Sequence, residues 1–141
     1  MNKFALVIGL SLAVPTLAQE VSPVPSGEAG QIFIVPDVSH PWAAAQIGGV
    51  LDGRVSYQKG TLLEVITLAK ERGAAGIVEI KLDTSAAFES GRVVCYSPNG
   101  RKLWEEKVMF NLGGGTERIA RRFADALEKK VAGKRCGTGV D

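Results

Sequence analysis

The chain has 141 residues, and its hydrophobic fraction of 45% is ordinary for a globular protein, which argues against a disordered chain. Its 17 basic and 15 acidic side chains nearly balance, with a formal net charge of +2. This balance gives no strong overall attraction to nucleic acid or to a membrane, so we expect no nucleic-acid partner, and binding to any polyanion would need a local patch.

Residues 1–18 have the three parts of a secretory signal peptide: a positive start at Lys3, an apolar run over residues 4–13 and a small-residue cleavage site. We expect cleavage between Ala18 and Gln19, which would leave the protein in the periplasm or the medium. The run is too short to span a bilayer, which needs roughly 20 helical residues. No later stretch is long enough either, so we expect no transmembrane segment after cleavage. The alternative is an uncleaved N-terminal anchor.

Residues 19–30 are rich in Pro, Ser, Gly and Glu, so we predict a flexible linker followed by a single domain over residues 31–141. Within this domain, clusters of β-branched residues predict strands, and apolar residues recurring every three or four positions predict helices. The predicted elements are a strand at 31–35, a short helix at 42–46, a strand at 54–58, a helix between Thr61 and Gly73, strands at 77–82, 91–96 and 103–110, and a helix between Thr116 and Gly133.

Local signals support the helix and strand boundaries. Thr61 and Glu64 have the spacing of a capping box, and Gly73 supplies a C-terminal stop. In the strand at 77–82 the alternation predicts that Glu79 faces solvent while its neighbours face the core. Residues 97–100, Ser-Pro-Asn-Gly, predict a tight turn between two strands.

This element order predicts an α+β fold. We expect a two-layer sandwich, in which a mainly antiparallel sheet of four to five strands carries the two longer helices on one face. Segregated strands and helices, with hairpin links between strands, favour this arrangement.

The layout of residues 61–132 resembles that of small bacterial envelope domains. The shared pattern is a helix, then residues 73–78, Gly-Ala-Ala-Gly-Ile-Val, then Pro98–Gly100, Leu103-Trp104 and a final helix over residues 119–131. It is similar to the amino-terminal domain of the Tol–Pal translocation protein and to the curli-export lipoprotein family. The resemblance implies an envelope assembly or interaction module. The lipid-bearing cysteine of those lipoproteins is absent here, and no family site residue carries over.

Cys95 and Cys136 are the only cysteines. In an oxidising compartment, two cysteines in a small domain are commonly paired, so export predicts a disulfide. The alternative is a buried Cys95 with a free Cys136 on a loose tail. Their spacing is not Cys-x-x-Cys, which argues against a redox enzyme.

Asp37, His40 and Trp42 form the clearest candidate ligand or loop site. His40 is the only histidine, and a hydrolase would use it as a base oriented by Asp37. No Gly-x-Ser-x-Gly elbow presents a nucleophile, and two ligands are too few for a metal. The simpler interpretation is a solvent-exposed loop histidine, with Trp42 anchoring the loop on the core.

Glu106 shares a predicted strand face with Trp104 and Val108, which should be the core face. An inward carboxylate there would have functional potential because burial raises its pKa. The alternative is a β-bulge near Glu105 and Glu106, or a position of the strand at the sheet edge. Either would account for the position of this side chain, which would then have no functional role.

The last helix and its tail carry seven basic and three acidic residues, in a chain that nearly balances overall. Such a surface suits an envelope protein with an acidic face, or an anionic surface component. The alternative is an ordinary solvated helix side, with lysines near the C-terminal end of the helix dipole. The candidate interaction patch is Arg118, Arg121, Arg122 and Lys129.

These patterns favour an exported binding or assembly module without catalytic activity, cofactor or metal. It would present its open sheet face or its basic last helix to a partner. The first alternative is an enzyme of unknown class that uses His40 with Asp37 or Glu106. The second is a small-molecule carrier with a pocket near Trp42 and Tyr57.

Overall fold

The computed structural model describes residues 28–84, 89–110 and 116–137. The predicted signal peptide and residues 19–27 of the predicted linker lie outside this part. In chain order the elements are β1 (Ile32–Val35), α1 (Ala43–Gly48), β2 (Val55–Tyr57), α2 (Leu62–Arg72), β3 (Gly76–Asp83), β4 (Glu89–Tyr96), β5 (Lys102–Phe110) and α3 (Thr116–Val131).

The predicted α+β class is confirmed, and one mixed sheet has the strand order β2-β1-β3-β4-β5. Strands β3, β4 and β5 form an antiparallel meander, with the turn predicted at residues 97–100 between the last two. The shorter strand β1 pairs in parallel with β2 on one side and with β3 on the other. This parallel half was not predicted from the sequence, although a helix between consecutive strands is the usual parallel connection.

Two helices share one face of the sheet, but they are α1 and α3. Ile32 and Ile34 of β1 belong to the core beneath these helices, whereas Phe33 and Val35 pack with α2 on the opposite face. The expected pair of helices on one face is thus present, but α1 rather than α2 lies beside α3. The chain steps from β1 to β2 in one direction across the sheet and from β2 to β3 in the other. Right-handed crossovers that step in opposite directions place their helices on opposite faces.

Glu79 shows the consequence of that helix placement. The side chain was expected in solvent, yet the residue is only 7% exposed. It lies on the α2 face of β3, beside the start of α2 and under the hydroxyl of Tyr96.

The ends of α2 form as predicted. The Thr61 hydroxyl accepts a hydrogen bond from the backbone N–H of Glu64 at 3.2 Å, and Glu64 accepts one from the N–H of Thr61 at 2.8 Å. This capping box satisfies two of the N–H groups that a helix start leaves without partners. Gly73 ends the helix in the left-handed conformation, with φ at 71°.

Helix α3 packs directly on the antiparallel part of the sheet. Its apolar stripe includes Ile119, Phe123, Leu127 and Val131, all buried. The close approach is possible because β4 has Gly91 at the contact, where a Cβ atom would lie 2.9 Å from that of Phe123.

Glu28 ties the segment before β1 to the domain. Its carboxylate accepts hydrogen bonds from the Ser56 hydroxyl and from the side-chain amide of Gln58, and it pairs with Arg72. These hydrogen bonds, with that from Ser56 the strongest influence, hold the pKa of Glu28 below its ordinary value. Residues 28–30, at the end of the predicted linker, thus contact the folded domain.

A disulfide joins Cys95 on β4 to Cys136, which follows α3. Both residues are buried, and Cys136 lies beside the backbone carbonyl of Ile77 on β3. The bond therefore holds the chain after α3 against the middle of the sheet.

We expect the Cys95→Ala/Cys136→Ala variant to lose about 4 kcal/mol of unfolding free energy, because the chain-entropy cost of a loop this long has about that size. The two cysteines are separated by 41 residues. Urea unfolding followed by circular dichroism measures the loss. Reductant should lower the stability of the native protein to that of the variant and leave the variant unchanged. A variant as stable as the native protein would contradict the prediction.

Candidate functional site

The Asp37 carboxylate is bound on both oxygens. One oxygen accepts the backbone N–H groups of Ser39 and His40 at 2.9 and 2.8 Å, and also lies 3.2 Å from the His40 ring nitrogen Nδ1. The other accepts the N–H of Leu82, on β3, at 2.8 Å. Asp37 therefore closes the turn after β1 and ties it to the neighbouring strand.

His40 is buried, with 7% of the residue exposed, so its interpretation as a solvent-exposed loop histidine was wrong. The Asp37 turn folds it inward, where its ring meets the edge of the Trp42 ring at a centroid distance of 6.1 Å. The sequence places the three residues close together, but only the turn geometry determines that the histidine points inside.

Trp42 links this loop to α3. The Arg121 guanidinium lies 4.4 Å from the centre of the Trp42 ring, a cation–π contact, and Arg121 also lies 3.5 Å from Glu117. The Trp42 side chain also packs against the hydrophobic core beneath α1 and α3. Arg121 of the predicted basic patch thus contacts Trp42 of the predicted loop site.

The chemistry available at Asp37 and His40 is mainly structural. In the described part of the chain, no serine or cysteine side chain lies within hydrogen-bond distance of the His40 ring. Across the described ranges, no group of three or more His, Cys, Asp or Glu side chains is placed to hold a metal ion. The geometry supports a loop anchor better than a nucleophile–base pair.

Glu106 lies on the sheet face that carries α3, paired with Val93 of the neighbouring strand. Its carboxylate is 3.5 Å from the Nζ atom of Lys134, which also lies over the Trp104 ring. The strand irregularity occurs earlier, opposite Cys95 and Tyr96. Because β5 is an edge strand, its edge position, rather than a bulge at Glu106, accounts for the side chain's partial exposure.

The aromatic pair proposed for a carrier pocket lies at the two ends of α1. Trp42 is the residue before the helix, and the Tyr57 side chain lies against Gly48, the last helical residue. Tyr57 is about half exposed on the short edge strand β2.

The basic side chains of α3 and its tail fall into two groups, those that contact an aromatic ring or a carboxylate and those that form no ion pair with a described carboxylate. Arg121 contacts Trp42, while Lys134 and Arg135 in the following tail pair with Glu106 and Asp52. No described carboxylate forms an ion pair with any of the remaining exposed cations. These are Arg118, Arg122, Lys129 and Lys130.

Three of these cations form a line along the exposed side of α3, and we call Arg118, Arg122 and Lys129 the α3 cation line. Their spacings of four and seven residues place them on one side of a helix with 3.6 residues per turn. Two acids that would weaken the line, Asp125 and Glu128, both accept hydrogen bonds from the Gln46 amide of α1.

The opposite face of the sheet is open beyond α2. There Lys81, Arg92 and Lys107 stand directly opposite one another on three adjacent strands. Like charges in such cross-strand positions are destabilising. Glu105, hydrogen-bonded to Lys102 and 3.9 Å from Arg92, offsets part of this charge.

No protein-family model matches this chain, and no curated protein matches it. Among solved structures, the crystal structure of lipoprotein GNA1162 from Neisseria meningitidis is similar at 13% sequence identity and a TM-score of 0.37. The similarity covers 72% of this chain and 96% of that chain. A likeness of this size supports no inference about the function of this protein. None of the helices in the described ranges is long and apolar enough to cross a membrane.

We expect Asp37→Ala to lower the free energy of unfolding by about 2 kcal/mol, because it leaves the backbone N–H groups of the buried residues His40 and Leu82 without acceptors. Asp52→Ala is the matched control. That carboxylate is 53% exposed and makes one ion pair, with Arg135, so its loss should cost no more than about 0.5 kcal/mol. Urea unfolding of both variants measures the difference, and equal costs would contradict the structural role of Asp37.

Proposed function

We propose that this protein is exported into the bacterial cell envelope and acts there as a non-catalytic binding module. It docks through the α3 cation line onto an anionic component of the envelope surface. The observation that carries the proposal is a row of exposed cations without carboxylate partners, in a chain that is otherwise nearly neutral.

Two features support export. Residues 1–18 have the order of a signal peptide, with a positive start, an apolar run and small residues before the expected cleavage site. The disulfide between Cys95 and Cys136 is of the kind that persists in oxidising compartments and is rare in the cytosol. The layout resemblance of residues 61–132 to envelope modules is in keeping with that destination.

The geometry of the α3 cation line favours an extended anionic surface over a single small anion. Arg118 and Lys129 are eleven residues apart, which corresponds to roughly 16 Å along a helix axis. Phosphate groups spaced across a lipid or lipopolysaccharide headgroup layer can meet three such cations together. Each basic residue near an anionic membrane contributes about 1 kcal/mol of binding, and salt screens the attraction.

The fold presents this line to a flat partner. The apolar side of α3 is buried against the sheet, so its charged side points away from the domain. The surface between Arg122 and Lys129 is a shallow groove, which Asp125 also lines, rather than a deep pocket. A shallow basic strip suits a headgroup layer better than it suits a substrate that must be enclosed for catalysis.

Export is tested by the N-terminus of the mature protein. We expect the periplasmic or secreted product of a bacterial host to begin at Gln19, as measured by intact mass and N-terminal sequencing. Ala18→Phe puts a large side chain at the cleavage site and should leave the chain unprocessed. A dissolved cytosolic product that retains Met1 would contradict both the export and the envelope assignment.

Surface docking is tested by reversing the α3 cation line. We expect Arg118→Glu/Arg122→Glu/Lys129→Glu to weaken binding of the mature protein to vesicles containing phosphatidylglycerol by about two orders of magnitude. Cosedimentation across a salt series measures this, and binding of the unchanged protein should fall as ionic strength rises. Vesicles of phosphatidylcholine alone should bind neither form.

The matched control reverses three exposed cations elsewhere, in Lys59→Glu/Lys70→Glu/Arg101→Glu, with the same change in net charge. It should keep most of the binding. Equal losses in the two triple variants would show a general charge effect and contradict the α3 site. If crosslinking in intact cells instead captures an acidic envelope protein, and only the α3 variant loses it, the partner is that protein rather than the headgroup layer.

A further inference from the structure

A second candidate site lies at the carboxyl end of β1, on the face of the sheet opposite α3. Strand β1 has β2 on one side and β3 on the other, so the chain reverses its direction of travel across the sheet at this strand. In open sheets with parallel strands, ligands bind in the crevice just outside the carboxyl ends of the strands at such a switch point.

A cavity of about 400 Å³ occupies this crevice. Small-molecule sites generally have volumes of roughly 300 to 1,000 Å³ and largely apolar walls with a few polar groups. Here the apolar walls include Val35, Pro36 and Leu62, and the polar groups include Glu79 and Lys81. Val38, at the rim, is 95% exposed.

Glu79 is the unusual group in this cavity. Its single hydrogen bond in the described structure comes from the Tyr96 hydroxyl at a long 3.4 Å. The Lys81 Nζ atom lies 4.0 Å away, which is beyond hydrogen-bond distance. A carboxylate has about four acceptor positions, and burying one without donors is costly. Glu79 therefore has acceptor capacity that the protein itself does not fill.

The other carboxylates at the cavity are already engaged. Asp37 is held by backbone N–H groups on both oxygens, and Glu64 closes the capping box of α2. They add negative potential, and the hydrogen bonds they already make hold Asp37 on both oxygens and Glu64 on one. With Lys81 as the opposing cation, three carboxylates leave the lining net negative.

We propose that this crevice binds a small molecule that carries a protonated amine on a compact apolar body. The ammonium group donates to the Glu79 carboxylate, and the apolar body packs against Val35 and Leu62. The site is independent of the docking surface on α3, because the two lie on opposite faces of the sheet and share no residue.

Benzylamine is a suitable probe, and benzyl alcohol and benzoate are matched probes without the positive charge. We expect ¹H–¹⁵N NMR titration of the mature protein to show saturable benzylamine shifts at the amides of Val38, Leu62 and Lys81. Benzyl alcohol should bind at least tenfold more weakly, since it lacks the charge-assisted hydrogen bond, and benzoate should not bind.

Glu79→Gln keeps the size of the side chain and an acceptor for Tyr96, and should weaken benzylamine binding at least tenfold. Glu71→Gln, on the exposed side of α2 outside the cavity, is the control and should bind as the native protein does. Leu62→Trp should block binding by filling the cavity while Glu79 stays intact. This variant keeps the test decisive if Glu79→Gln does not fold.

Three results would overturn the proposal. One is the absence of saturable benzylamine shifts at these amides, and another is equal binding of the amine and the alcohol. The third is undiminished benzylamine binding by the folded Glu79→Gln variant or, if that variant does not fold, by Leu62→Trp.

Discussion

Strand β1 is covered on both faces, and the arrangement of the whole domain depends on this constraint. Its four residues, Ile32 to Val35, are all buried, alternately beneath α1 and α3 and beneath α2. A strand buried on both faces needs neighbours on both edges and helices on both sides. The parallel pairing with β2 and β3 meets the first need, and crossovers on opposite faces meet the second.

The two halves of the sheet consequently have different environments. Around β1 the sheet has helices on both sides. Strands β4 and β5 pack mainly against α3, although Tyr96, at the end of β4, packs against the cluster that includes α2. A helix is roughly 10 Å wide, about two strand spacings, so α2 covers β1 and β3 and its face becomes open beyond β3. Glu79 lies at the border between the part of this face that α2 covers and the part that is open to solvent. This position explains why Glu79 is buried while Lys81, two residues further on, is exposed.

Local features were predictable because their causes are local. The capping box at Thr61 and the stop at Gly73 are formed by residues within one helix, and the stripe of α3 follows from its period. Export to an oxidising compartment predicted a disulfide between Cys95 and Cys136, which the structure contains. Each of these inferences needed only neighbouring residues or a general property of the chain's environment.

The errors concern facts that depend on distant parts of the chain. The burial of Glu79 depends on which face α2 occupies, and the alternation of its own strand carries no information about that. The burial of His40 depends on the turn that Asp37 closes. The Asp37 carboxylate accepts a hydrogen bond from the backbone N–H of Leu82, which is forty-five residues further along the chain. One available signal was overlooked: an unbroken apolar run such as residues 32–35 is typical of a strand covered on both faces.

The charge of the α3 surface is likewise a product of packing as much as of composition. Gln46, on α1, donates hydrogen bonds to both Asp125 and Glu128, which holds these two acids of α3 toward the seam between the two helices. Trp42 draws Arg121 toward the same seam. What remains on the outer side of α3 is more cationic than the helix sequence as a whole. Tertiary contacts can therefore concentrate one sign of charge on a surface of a protein whose total charge is close to zero.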